Sequence, residues 1–264
     1  MKKILILLMV LAMSLFVFIG CGEDAAGDEG ESGEAVENGE EVDEEEEADE
    51  EEASDNMYQD GTYTAYSDTD ERGFGKVTIT IESDEIVDVE LAEFRGTGVE
   101  KDEDYGYDDF HDALAEMPGR FLEANSADVE VFTGATSSSE QWMQGVERAL
   151  EMALVDAEDD SMYFDGTFFG ASDLGERGRS VAFVTIENDE IVDVVLHDTQ
   201  LDEEDGEDFK DEDYGYEEYH EAREELAEEF VAANSADVDV FTGATGSSEN
   251  WMTAVERALE NAER

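Results

Sequence analysis

"KVTITIESDEIVDVEL", Lys76 to Leu91, is the stretch on which the fold turns. Val77, Ile79 and Ile81 alternate with Lys76, Thr78, Thr80 and Glu82. That period of two places one face of a strand against a core and the other in solvent. Glu82-Ser83-Asp84-Glu85 then turns the chain, and Ile86, Val87, Val89 and Leu91 begin the next strand. So short a link makes the pair antiparallel.

The same hairpin occurs twice. "DEIVDVEL" (Asp84 to Leu91) returns as "DEIVDVVL" (Asp189 to Leu196), 105 positions on. "DGTYTAYSD" (Asp60 to Asp68) returns as "DGTFFGASD" (Asp165 to Asp173), and Glu-Arg-Gly recurs at Glu71 and Glu176. Further along, "KDEDYGYDDFH" (Lys101 to His111) matches "KDEDYGYEEYH" (Lys210 to His220) at an offset of 109. The change of offset puts a four-residue insertion in the second copy, around "TQLDEEDGE". A repeat this long describes two domains, since solenoid units run about 20–50 residues. The expected organisation is residues 57–156 for the first domain and 161–264 for the second.

Outward from the hairpin, each copy reads as strands followed by two helices. Asp109 to Asn125 is predicted helical, with Phe110, Leu114, Met117, Phe121 and Leu122 on one face. A second helix carries Trp142, Val146, Ala149 and Leu150 at helical spacing. Ser137 and Glu140 fit a capping box, which starts that helix just after Thr136. The fold class expected is therefore α+β: two tandem homologous domains, each a small antiparallel sheet with helices.

Between the helices lies the other repeated feature, "VFTGATSSSEQW" (Val131 to Trp142) and "VFTGATGSSENW" (Val240 to Trp251). Gly134, Ala135, Gly243 and Ala244 leave the backbone open to close approach. A helix N-terminus offers unpaired N–H groups and a positive dipole end, suited to a phosphate. Ser138, Ser139, Ser247 and Ser248 add hydroxyls, and Thr136 and Thr245 place one at the same spot in each copy. On spacing alone, an ordinary capped helix after a glycine turn reads the same way.

These residues resemble the FMN-binding domain family, which includes the C subunit of sodium-pumping NADH:quinone reductase. Its pattern is Asp-x-x-Ser/Thr-Gly-Ala-Thr followed by a short Ser/Thr run. The second copy matches with Asp239, Thr242, Gly243, Ala244 and Thr245; the first has Glu130 in place of Asp, then Thr133, Gly134, Ala135 and Thr136. The Asp-Gly-Thr start and the Asp-Glu-Ile-Val-Asp-Val strand also resemble the family. The resemblance implies two covalent FMN groups, esterified through phosphate to Thr136 and Thr245 by a dedicated flavin transferase. It also implies an electron-transfer flavoprotein rather than a stand-alone enzyme.

At the N-terminus, Met-Lys-Lys precedes an apolar run from Ile4 to Ile19, and then Gly20 and Cys21. The stretch resembles a bacterial lipoprotein signal over residues 1–21, cleaved before Cys21, which would carry the lipid. Cys21 is the single cysteine, so disulfides, thiolate iron–sulfur clusters and cysteine zinc sites are excluded. Residues 22–56 hold 19 acidic residues and no Lys, Arg or aromatic residue. Such a segment reads as a disordered spacer, with a reach on the order of 100 Å at about 3.3 Å per residue.

Across the 264 residues, 77 Asp and Glu against 14 Lys and Arg give a net charge of -63. That balance excludes nucleic acid as a partner. Self-repulsion of this size is screened at about 1 M salt, where the Debye length is roughly 3 Å, so a halophilic protein is expected. The whole arrangement is similar to tandem flavinylated lipoproteins, which implies a lipid-anchored electron carrier on the extracytoplasmic face of the cell membrane. It takes electrons from a membrane donor, a quinol or a flavoprotein complex, and passes them to extracellular acceptors. The alternatives are a non-redox binding or structural lipoprotein with unmodified loops, and an extracellular reductase.

Smaller candidates stay open on sequence. Tyr105, Tyr107 and Phe110, with Tyr214, Tyr216 and Tyr219, either stack on a flavin or pack internally. His111 and His220 either cap a helix or move protons. Arg72 and Arg177 either contact a flavin or phosphate or form salt bridges. The carboxylates around Lys101 lack the EF-hand spacing, so no metal site is expected.

Overall fold

Hydrophobic alternation builds the sheets where the sequence places them. The computed structural model describes residues 56–157, 159–202, 206–210 and 215–264. The expected lipoprotein signal, Cys21 and all of the expected spacer but its last residue lie outside the described residues. In the first copy, β1 (Gly61–Tyr66), β2 (Phe74–Glu82) and β3 (Glu85–Phe94) form an antiparallel meander in that order. Val77, Ile79 and Ile81 are fully buried, and Val77 pairs with Leu91 and Ile79 with Val89. Helices α1 (Asp108–Ala124) and α2 (Thr136–Met152) pack on this apolar face, α1 over β3 and α2 over β1 and β2. The second copy repeats the plan with β4 (Gly166–Ala171), β5 (Ser180–Glu187), β6 (Glu190–Asp202), α3 (Glu217–Ala233) and α4 (Thr245–Ala262). Its insertion adds β7 (Gly206–Phe209), which pairs with the extended end of β6. The fold is α+β.

The β2–β3 link is a two-residue turn with Ser83 and Asp84 at φ 54° and 66°, repeated by Asn188 and Asp189 at 52° and 62°. Positive φ at both central positions gives the turn whose twist matches the strands it joins. One side chain locks the turn to a helix. Asn125, the left-handed C-cap of α1, accepts the Ile86 N–H at 2.7 Å and donates to the Asp84 carbonyl at 2.9 Å. Asn234 does the same for Ile191 and Asp189. In α1 the buried face is Phe110, Ala113, Met117 and Phe121. Leu122, expected on that face, is 38% exposed, because it follows Phe121 by one residue and about 100° of rotation.

Where the copies meet, their sequences part. On the outer face of the first sheet, Thr62 bonds Thr80 and Thr64 bonds Thr78 at the surface. The second copy has Phe169 and Phe183 where the first has Thr64 and Thr78, and both are buried. They are covered by the first copy: Phe74 stacks on Phe169 at 4.9 Å and on Phe94 at 5.1 Å. Arg148 pins the junction. Its side chain, 7% exposed, donates to the Tyr66 carbonyl (2.7 Å), Asp68 (2.6 Å) and the Asp165 carbonyl of the second copy (2.9 Å). It also lies over the Phe168 ring at 4.7 Å. Both copies belong to one compact unit.

Candidate functional site

The Thr-Gly-Ala-Thr loop is shaped by glycine and then tied from inside the helix it feeds. Gly134 sits at φ +99° and Gly243 at +103°, where a side chain is strained. A Cβ on Gly134 would also come 2.4 Å from Asp109 Oδ2. Ala135 caps α2, so Thr136 is its first helical residue, exposed to solvent, and Thr245 stands identically on α4.

The expected capping box does not form. Ser137 and Glu140 lie within α2, and no side chain caps the helix. The buried hydroxyl of Ser139 performs the closure: it accepts the Phe132 N–H at 3.0 Å and donates to the Ala135 carbonyl at 2.8 Å. Ser248 repeats this with Phe241 and Ala244 at 3.1 and 2.9 Å. A serine in the first turn reaches back four residues as easily as a capping serine reaches forward, and only packing selects between them. The outside of the loop is held by Tyr107, whose hydroxyl donates to the Gly134 carbonyl at 2.6 Å, and by Tyr216 on Gly243 at 3.1 Å.

Gly134, Ala135 and Thr136 open onto a cleft of about 860 Å³. Ser137 and Ser138 continue the helix end along it. Across from them stand Glu93, at the end of β3, and Arg95, Thr97, Lys101 and Tyr105 from the segment after it. Glu93 and Lys101 form a buried ion pair, their side chains 4% and 13% exposed, and Lys101 also lies 5.3 Å from the Tyr105 ring. Arg72 reaches the cleft edge through a hydrogen-bonded pair with Asp70 (2.6 and 2.9 Å). Partial burial pushes the Asp70 carboxyl up, but the hydrogen bonds and charge of Arg72, with the Gly73 N–H, outweigh it and hold Asp70 below the usual range.

Three buried oxygens of cleft-lining residues have no protein partner: Glu93 Oε2, Thr97 Oγ1 and Gln141 Oε1. Folded chains leave few such groups unsatisfied, because each costs about 1–3 kcal/mol. All three belong to residues that line the one cleft.

The structure also locates the remaining candidates. Phe110 is a core residue, edge-on to Tyr105 and 5.9 Å from Trp142. His111 donates to the Tyr105 carbonyl at 2.6 Å and so positions the segment behind the cleft. Thr133 and Glu130 are exposed and outside the cleft lining. Asp239 and Thr242 line a separate depression of about 230 Å³. In the second copy, Asp198 and Lys210 stand where Glu93 and Lys101 do, 2.9 Å apart. Tyr219 takes the Phe110 place, its phenol pushed up to about 12, first by burial and then by the Asp198 charge. Arg177 is exposed, and Tyr214 lies outside the described residues.

Glu93, Thr97 and Gln141 are absent from the sequence expectation, while Ser139 and Ser248, expected to offer hydroxyls to a phosphate, are buried and tied to their own loops instead. Lys101 carried the clearest available signal: a lysine repeated at Lys210 in a chain with 14 Lys and Arg. Among the described residues, no group of three or more His, Cys, Asp or Glu is placed to hold a metal ion, and no helix is long and apolar enough to cross a membrane.

The sequence profile of the FMN-binding domain matches this chain twice, over residues 72–151 and 175–260. No curated protein sequence is significantly similar to it. Among solved structures, the crystal structure of the CPE2226 protein from Clostridium perfringens is similar at 29% identity and a TM-score of 0.33, covering 37% of this chain and 89% of that one.

Proposed function

This chain belongs to the FMN-binding domain family, which its two matches span over more than half its length, and on that premise we propose that it is a two-flavin electron carrier with FMN esterified to Thr136 and Thr245. The observation that carries the reading is the cleft itself. An exposed first-turn threonine hydroxyl stands at one side, and three unsatisfied buried oxygens belong to the residues that line it. Its volume suits a ligand of flavin size. The first-turn N–H groups of α2, with the Ser137 and Ser138 hydroxyls, would hold the phosphate. Glu93, Thr97 and Gln141 would meet the polar edge of the ring system.

Bound FMN supplies reversible one- and two-electron chemistry that no side chain here provides. The protein's part is to bind, orient and shield. Attachment requires an activated flavin, because a hydroxyl and a phosphate monoester do not condense in water. With a flavin dinucleotide as donor, Thr136 Oγ1 would bond to the flavin-side phosphorus as the anhydride P–O bond broke, a nucleoside monophosphate would leave, and the hydroxyl proton would pass to a base of the transferase.

The proposal places the carrier on the extracytoplasmic membrane face, lipid-anchored through Cys21, with the acidic segment of residues 22–56 as tether. A membrane quinol or flavoprotein complex would reduce it, and extracellular acceptors would oxidise it. Support for this part is the sequence alone: a basic start, an apolar run, one cysteine and an acidic stretch.

The test is a denaturing gel under ultraviolet light, with the chain co-expressed with a flavin transferase. The wild type is expected to fluoresce after boiling in detergent, each of T136A and T245A to keep half, and the double variant to be dark. Intact mass counts the flavins and shows the lipid. A dark wild-type band would leave the non-redox lipoprotein as the reading.

A further inference from the structure

The second copy contributes a wall to the first copy's cleft. Glu207, Asp208 and Phe209, all on β7 of the inserted hairpin, line the same cleft as Thr136. We infer that this hairpin is part of the first flavin site, so that the two flavins of one chain differ in environment and in reduction potential. The inference rests on the flavin reading of the cleft.

The hairpin is held in place. Its ladder pairs Thr199 with Phe209 and Asp202 with Gly206. Glu207, 5% exposed, receives Arg179 Nε at 3.0 Å and the Thr199 hydroxyl at 2.7 Å. Phe209 packs against His197 at 5.0 Å and Phe183 at 6.4 Å. Glu207 is thus neutralised by Arg179 and serves as the anchor. Asp208 remains exposed beside the cleft, and Phe209 presents an aromatic wall to it.

The first copy takes another course over the same stretch. Its corresponding link is tight: Arg95 N–H bonds the Val99 carbonyl, and Gly98, at φ +84°, packs on Phe169 of the second sheet. One link docks the copies together while the other overhangs the first site. The same insertion that changes the repeat offset therefore makes the two sites unlike.

Reduction adds negative charge to a flavin, so a neighbouring carboxylate disfavours it. A unit charge on the order of 10 Å from the ring, at an effective dielectric constant of about 20, changes that equilibrium by at most about tenfold, and by less as salt screens an exposed carboxylate. For a two-electron couple, tenfold is about 30 mV.

The experiment uses the full chain with one flavin at a time, loaded by a flavin transferase. In the T245A background only the first flavin remains; in T136A only the second. D208N is expected to raise the first flavin's midpoint potential by up to about 30 mV, the shift shrinking as salt is raised, and F209A to change its visible circular dichroism. Neither is expected to alter the second flavin. D208N removes one exposed charge and keeps the fold, so it decides the matter even if F209A loosens the hairpin. A first flavin indifferent to both substitutions, or equal shifts in both backgrounds, overturns the inference and leaves the carrier reading standing. Absence of flavin from Thr136 overturns both.

Discussion

Arg148 and Arg257 are the same residue in two copies, and comparing their removal measures the junction between them. Arg257 donates to the Ala171 carbonyl at 2.6 Å and Asp173 at 2.7 Å, with its own side chain 40% exposed and that of Asp173 93% exposed. An ion pair so exposed is worth about 0–1 kcal/mol, and R257A should cost about 1 kcal/mol in all. Arg148 makes the equivalent two bonds and adds the Asp165 carbonyl at 2.9 Å, with the rings of Phe168 and Phe164 at 4.7 and 5.5 Å. A hydrogen bond from a charged donor contributes about 1.5–3 kcal/mol. A desolvated cation over an aromatic ring adds about 1 kcal/mol. R148A should therefore cost about 3.5–5 kcal/mol, some 2.5–4 kcal/mol beyond R257A, and that excess belongs to docking. Urea denaturation in about 2 M salt, followed by tryptophan fluorescence and circular dichroism, reads both numbers. R148A is further expected to split one transition into two, as each copy melts on its own core. Equal costs for the two variants, with a single transition in each, would refute the assignment of Arg148 to the junction.

The loop ties give a second expectation. S139A leaves the Phe132 N–H without its acceptor, should cost about 1–3 kcal/mol by thermal denaturation, and should lower flavin loading at Thr136 while leaving Thr245 loaded; S248A should do the reverse. Alkaline stability follows from Tyr219. Its phenol ionises near 10 in the unfolded chain and at about 12 in the fold. Between those values the unfolded state holds fewer protons, so the Tyr219 contribution is full below pH 10 and is lost as pH rises toward 12. Y219F should flatten that part of the stability–pH curve. Salt is the broadest lever. With a net charge of -63, dialysis to low salt should loosen the fold by circular dichroism, and full cooperativity in dilute buffer would remove the halophilic reading.

Much of the site was legible one copy at a time. Gly134 stands out in the sequence because a left-handed turn has a local signature, whereas the helix start read just after Thr136 lies at Thr136 itself, capped by Ala135. Ser139 was hidden by Ser137, since three consecutive serines offer three capping schemes and the buried position decides among them. The aromatic pair Phe169 and Phe183 was readable in principle: the second copy carries Phe where the first carries Thr on a face that should be wet.

By itself the sequence determined the strands, the turn, the repeat, the helices and the Thr-Gly-Ala-Thr motif, because each is set by residues a few positions apart with a fixed period or conformation. Only the tertiary structure decided that the second sheet's outer face lies under Phe74, that Arg148 bridges the copies while Arg257 does not, and that β7 overhangs the first cleft. Those contacts join residues from 17 to 95 positions apart, and no local period records them. They depend on which apolar face is left unburied once each copy has folded, and that is settled by packing.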